Sequence, residues 1–228
     1  MRKKTLLASV TAVVMLFAAT VALAQDFTGT PGPDTINGTS QADRIDGLGG
    51  DDTLTGLGGR DIIRGGSDDD TINGDGNCAA GSPTSGPYAC IPGNASGDQL
   101  IGGSGQDTIN GNGGSDRISG QGGDDRLRGN SGNDRISGGS GTDVLSGADG
   151  KDFLTGSGDD DKLRGQGGND KITAGSGRDL IEGGPGNDNI GARDGTRDRI
   201  NCGSGRDKVT ADRLDKIAKN CERVRRRG

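Results

Sequence analysis

The chain is predicted to be all-β: a parallel β-roll, or β-solenoid, with 18 residues per coil, a thin aliphatic core and a disulfide-stapled C-terminal cap. Three observations predict this. First, aspartates recur almost entirely nine residues apart, as Asp34, Asp43, Asp52, Asp61 and Asp70, then Asp98, Asp107, Asp116, Asp125, Asp134, Asp143, Asp152, Asp161, Asp170, Asp179 and Asp188, ending with Asp198 and Asp207. Second, two positions after every one of them stands Ile, Leu or Val, from Ile36 and Ile45 to Ile200 and Val209. Third, glycines precede the aspartates at fixed offsets. So short a period means one small structural unit stacked on copies of itself.

The unit reads Gly-x-x-Gly-x-Asp-x-aliphatic-x, seen cleanly in Gly102-Gly103-Ser104-Gly105-Gln106-Asp107-Thr108-Ile109-Asn110. Gly138 to Ser146 and Gly183 to Gly191 repeat it with both leading glycines. The pattern resembles the hemolysin-type calcium-binding (RTX) nonapeptide family, over residues 29–210 apart from one insertion. That resemblance implies a parallel β-roll in which calcium is held by Asp side chains and turn carbonyls of adjacent coils. All eighteen aspartates named above are therefore candidate metal ligands.

Taken in order, residues 1–24 read as a secretory signal peptide. Arg2, Lys3 and Lys4 precede an uncharged stretch from Leu6 to Leu23, and Ala22-Leu23-Ala24 offers a small-x-small cleavage site. Residues 25–73 form a first run of repeats. Residues 74–92 interrupt it with a Gly-, Ser- and Pro-rich loop containing Cys78 and Cys90. Residues 93–210 form the main repeat block. Residues 211–228 lose the glycine turn and read as a cap, with Arg223, Arg225, Arg226 and Arg227 as a basic tail.

Within a nonamer, glycines at the first and fourth positions are expected to supply turn conformations. The last three residues are expected to form a short strand with its middle side chain inward. Gln41, Asp68, Ser96 and Asp159 replace the fourth-position glycine, so their turns are expected to hold a cation less well. Ala174 and Cys202 replace the first, a milder change. Four cysteines in an exported chain imply disulfides. Three connectivities are possible, and separation along the chain favours Cys78–Cys90 and Cys202–Cys221. The second pair is nearly one coil apart, which brings the two backbones into bridging range.

One aliphatic residue per nine is a small core to set against the entropy of ordering the chain. Stacked carboxylates also repel one another. Calcium answers both difficulties, since it is a hard cation that takes carboxylate and carbonyl oxygens. The formal charge is −6, and becomes −9 without the three cations of the leader. With three aromatic residues in the exported part (Phe27, Tyr88 and Phe153), this argues against nucleic acid as a partner.

The chain has no histidine, which excludes His-Glu-x-x-His metalloproteases and Ser-His-Asp hydrolases. A core one residue deep offers no substrate cleft, so no catalytic residue is assigned. The expectation is an exported, extracellular, monomeric calcium-binding repeat protein with a structural or surface-interaction role, its surface or cell-envelope partner unnamed. The alternative is an adhesin-like or ice-binding module using one face of the rod. Thr35, Thr53 and Thr71 begin a suitable hydroxyl column, but Arg117, Arg126, Lys162 and Lys171 interrupt the outward positions.

Overall fold

A computed structural model describes residues 24–75 and 97–226. Residues 1–23 of the expected signal peptide and the expected Cys78–Cys90 pair lie outside these residues. The described chain winds into two parallel sheets of 11 and 10 strands, in which each strand pairs with the next but one in sequence. The chain therefore alternates between the sheets, one strand per nonamer and two per coil. Leu127 pairs with Ile109 before it and Leu145 after it, 18 residues to either side. At the strand spacing of about 4.8 Å, eleven strands span about 48 Å.

The insertion breaks neither sheet. Ile63 pairs with Leu100 and Ile72 with Ile109, so the coils before and after it stack directly. One extra residue is taken up between Ile181 and Ile200, which pair across 19 residues. There the Thr196 hydroxyl donates to the Gly177 carbonyl and to Asp194, closing a locally remade turn.

Strands are longer than the three residues expected. Thr108–Gly113, Arg117–Gly122 and Arg126–Ser131 each run six, through the first glycine of the following unit. Alternation then sends two residues inward per strand: the aliphatic and the first glycine. The aliphatic side chains from Ile45 to Val209 are 0–3% exposed and form one continuous core. Ala174, Ala192, Cys202 and Ala211 occupy the small-residue slot within it.

This corrects the role expected of the first glycine, which supplies room and not a turn. A methyl built on Gly102 would come within 3.0 Å of both the Asp107 carboxylate and the Gly120 carbonyl. The left-handed backbone falls at the second and fourth positions instead, as at Gly103 (φ 131°) and Gly105 (φ 128°). Leu48, Asn112, Gln121, Asn130 and Ala148 adopt it at the second position without being glycine. Asp68 (φ 77°) and Asp159 (φ 70°) adopt it at the fourth, so those two substitutions leave the turn shape intact.

The ends also differ from expectation. Asp26–Thr28 adds a strand before the first full repeat, with Phe27 paired to Ile45. The expected C-terminal cap contains two further strands, and its arginines as far as Arg226 lie in the second of them, where a basic tail was expected. Lys216–Ile217 extends one sheet, pairing Ile217 with Ile200, and Arg223–Arg226 extends the other, pairing Val224 with Val209. Pairing with a preceding strand satisfies backbone groups that a tail would leave to water. The arginines make this last strand a charged edge that discourages further pairing. The expected disulfide joins Cys202 to Cys221 with Cα atoms 5.3 Å apart.

Two measurements check this architecture. Leu127→Ala removes a fully buried side chain and should cost about 2–5 kcal/mol in urea unfolding of calcium-loaded protein, whereas Leu48→Ala, at a 44% exposed position, should cost under about 0.5 kcal/mol. Cys202→Ser with Cys221→Ser opens a 19-residue loop and should cost about 3 kcal/mol, with hydrogen exchange rising first in the last two coils.

Candidate metal centre

Each repeat aspartate follows a glycine turn and begins a strand, so its side chain turns inward at the seam between the sheets. From Asp43 to Asp207 these residues are 0–3% exposed. The carboxylates are organised by the backbone of the coil before. Asp107 N–H donates to Asp125 Oδ1 at 2.9 Å, Asp116 N–H to Asp134 Oδ1 at 2.8 Å, and Asp125 N–H to Asp143 Oδ1 at 2.9 Å. The same bond recurs along both columns, from Asp34 donating to Asp52 up to Asp188 donating to Asp207. Coil stacking thus places a negatively charged acceptor on an amide that no strand partner takes.

The second oxygen is left over. In Asp107, Asp125, Asp134, Asp143, Asp152, Asp161, Asp170, Asp179, Asp188, Asp198 and Asp207, Oδ2 is buried with no hydrogen-bond partner. Where the first position of the unit is glycine, Oδ2 faces it, and at most of these glycines the carbonyl of the residue one coil later also converges. Gly120 meets Asp125 Oδ2 and the Gly138 carbonyl, and Gly138 meets Asp143 Oδ2 and the Gly156 carbonyl. A buried carboxylate oxygen without a donor is costly unless a proton or a cation satisfies it.

Protonation energetics reflect that cost. Burial raises twelve of the ladder's carboxyls above their ordinary 3.8; the backbone N–H of the preceding coil opposes the rise, and neighbouring carboxylates mostly add to it. Asp70, Asp152, Asp161 and Asp198 reach about 7. Asp107, Asp125, Asp143 and Asp188 reach about 6. Asp52, Asp134, Asp170 and Asp179 are shifted in the same direction.

The expected ladder is thus brought together, except that Asp34, at the open N-terminal end, is only half-buried. Two members escaped the sequence reading. Asp198 N–H donates to Asp215 Oδ1 at 3.0 Å, and Asp207 N–H to Glu222 Oε2 at 2.9 Å. Their spacings are 17 and 15 residues and they lack the glycines, but Ile217 and Val224 follow two positions later. That acid-x-aliphatic signal was present.

A second, exposed ladder lies one residue earlier and points the opposite way along the rod. Gln106 N–H donates to Asp69 Oδ1 at 2.7 Å and Thr142 N–H to Asp124 Oδ1 at 2.8 Å. Asn133 and Asn169 act likewise toward Lys151 and Asn187. Any oxygen-bearing side chain serves here, which is why the sequence shows no fixed residue at this position.

The residues fit a hard cation. The eleven repeats named above each offer one carboxylate oxygen without a donor, and in Asp107, Asp125, Asp143, Asp161, Asp170 and Asp188 a backbone carbonyl of the next coil lies beside it, the kind of oxygen donor set calcium prefers. Among the described residues, no group of three or more His, Cys, Asp or Glu side chains forms a metal-holding cluster. A cation here must therefore draw heavily on backbone carbonyls, as glycine turns permit.

Fold and site together define a parallel β-roll repeat protein whose stacked carboxylates call for counter-cations. The chain belongs to the RTX calcium-binding nonapeptide repeat family, whose pattern matches residues 28–63, 47–77, 92–127, 119–154 and 155–190. Among curated proteins, none matches the chain.

The sign of the carboxyl shifts gives a pH dependence for chelated protein. Folded carboxyls at about 6 to 7, against 3.8 unfolded, mean that the folded chain binds more protons between these values. The stabilisation from protonation is complete below about pH 4 and is lost as pH rises through 6–7. In chelator, β-sheet circular dichroism should therefore increase from pH 8 to pH 4.5. A signal that falls on acidification would contradict the buried ladder.

Proposed function

We propose that this is an exported protein whose β-roll is completed by calcium ions held along the two carboxylate columns, and whose role is structural or surface-binding, not catalytic. The eighteen aspartates, from Asp34 to Asp207, are the proposed ligands, joined by turn carbonyls and by Asp215 near the C-terminal end. The observation that carries the reading is the row of buried Oδ2 atoms without a donor, which in Asp107, Asp125, Asp143, Asp161, Asp170 and Asp188 lie beside a first-position glycine and a carbonyl of the next coil. Calcium would neutralise the column and convert its binding energy into folding energy.

Export is supported by the basic start, apolar stretch and Ala-Leu-Ala of the leader, and by a disulfide that suits an oxidising compartment. No helix among the described residues is long and apolar enough to cross a membrane.

The test separates the two oxygens of one aspartate. Asp125→Asn keeps the acceptor for the Asp107 amide but removes the charge. The calcium midpoint of folding, followed by circular dichroism, should rise several-fold. In chelator the variant should fold at least as well as the parent, because a buried charge has gone. Magnesium should replace calcium poorly, since it dehydrates reluctantly and demands a smaller octahedral site. Equal β content of the parent protein in chelator and in millimolar calcium at pH 7.5 would overturn the proposal.

A further inference from the structure

Charge is segregated on this rod. Carboxylates occupy the turns and seams, whereas the outward strand positions of the 11-stranded sheet are cationic or neutral over most of its length. From Gln99 onward the first outward column runs Gln99, Arg117, Arg135, Phe153, Lys171, Asn189, Lys208 and Arg223, in the order in which their strands pair. Beside it the second column runs Ile101, Ser119, Ser137, Thr155, Thr173, Gly191, Thr210 and Arg225. These two columns hold six cations and no carboxylate, in a chain of formal charge −6. None of the six forms an ion pair; among the described residues the ion pairs are Arg164–Glu182 and Arg178–Asp160. Arg117, Arg135, Lys171 and Lys208 are all exposed.

Self-repulsion within such a column is unfavourable, so a row of unpaired cations at strand spacing calls for an external anion. The face has further features of a docking surface. Phe153 lies between two cations, with Arg135 5.2 Å and Lys171 5.8 Å from its ring centroid. This holds both side chains flat on the sheet. A shallow trough of ≈ 400 Å³ runs alongside, lined by Arg117, Ser119, Gln121, Arg135, Ser137 and Phe153. Guanidinium groups thus border hydroxyl and amide groups along one straight line.

We infer that this face binds a linear acidic polysaccharide, laid along the rod axis with its carboxylates or sulfates on the arginine–lysine column and its hydroxyls on the Ser119–Ser137–Thr155–Thr173 column. Arginine offers a planar fork that matches carboxylate and sulfate oxygens. Serine and threonine supply the donors and acceptors that sugar hydroxyls need. The strand spacing of about 4.8 Å approximates the length of one sugar unit in an extended chain, so successive coils meet successive residues. An anionic bilayer is a poorer fit, because insertion needs a broad apolar face and only Ile101 and Phe153 supply large apolar surface here. A nucleic-acid duplex curves its phosphates away from a flat sheet, and its bases find no stacking platform.

The inference rests on the proposed calcium-completed fold and adds the partner class. Calcium bound along the seams would also cancel the neighbouring negative potential and leave the cationic face dominant. The experiment uses the calcium-loaded mature chain in 0.1 M salt, with circular dichroism recorded on each sample so that a folding failure is visible separately. Hyaluronan and heparin are the probes, neutral dextran is the control, and phosphatidylserine vesicles and duplex DNA are competitors. Folded protein should bind at least one acidic polymer and not dextran, with affinity falling steeply as salt rises. Arg117→Glu with Arg135→Glu should weaken binding at least tenfold, while Arg126→Glu with Arg128→Glu on the opposite sheet should change it less than twofold. Folded protein that ignores both polymers, an equal loss from the two double variants, or preferential capture by vesicles or DNA would each overturn the inference.

Discussion

The structure depends on a hydrogen bond repeated down both seams of the roll, in which an aspartate amide donates to the carboxylate of the aspartate one coil later. It ties every coil to the next at the point where the chain leaves a turn and enters a strand. Because the acceptor is charged, the bond is stronger than an amide–carbonyl bond in the same place. Because it is buried, it commits a column of negative charge to a low-dielectric seam. The glycine next to most of these carboxylates follows from the same constraint, since the space beside Asp107 would not admit a methyl on Gly102.

A buried carboxylate with one oxygen satisfied and the other not is an incomplete arrangement. Burial accordingly raises the carboxyls of Asp152 and Asp161 well above the usual carboxylate range. A calcium ion would relieve it at neutral pH without consuming protons, while linking coils by further oxygens. The same arrangement makes stability a property of neighbouring coils: each repeat contacts only the ones before and after, so ordering should spread along the rod from its best-formed part. The C-terminal end has its own reinforcement. Cys202 is bridged to Cys221, and the Arg226 guanidinium donates to the carbonyls of Asp212, Arg213 and Asp215. A side-chain cation thus gathers the carbonyls of the final turn.

Most of the fold was legible because its physics is local and periodic. A nine-residue phase locks each aliphatic to its aspartate, so the sequence alone places Ile109 and Leu127 inward and pairs them. The bridge between Cys202 and Cys221 was legible for the same reason. The misreadings occurred where two different causes leave the same letter. First-position glycine, needed for space, looks identical to fourth-position glycine, needed for a left-handed turn. Leu48 and Gln121 show that the left-handed conformation at the second position is imposed by stacking, with no signature in residue type. Asp215 and Glu222 were missed because their spacing departs from nine once the glycines are gone.

The sequence by itself determined the architecture, the register and the identity of the inward-facing residues, because a strict repeat admits only one way of burying its aliphatics. It also placed the repeat aspartates, the proposed cation ligands, in two columns. Only the tertiary structure decided which carboxylate oxygen accepts from the backbone and which is left without a donor, since that depends on contacts between residues a full coil apart. It likewise decided that Lys216–Ile217 and Arg223–Arg226 continue the two sheets, because strand pairing can recruit a segment that has lost its repeat. Folding also separated the charges. Acidic and basic residues are mixed along the chain, and only winding at 18 residues per coil gathers Arg117, Arg135 and Lys171 onto one face while the aspartates go to the seams.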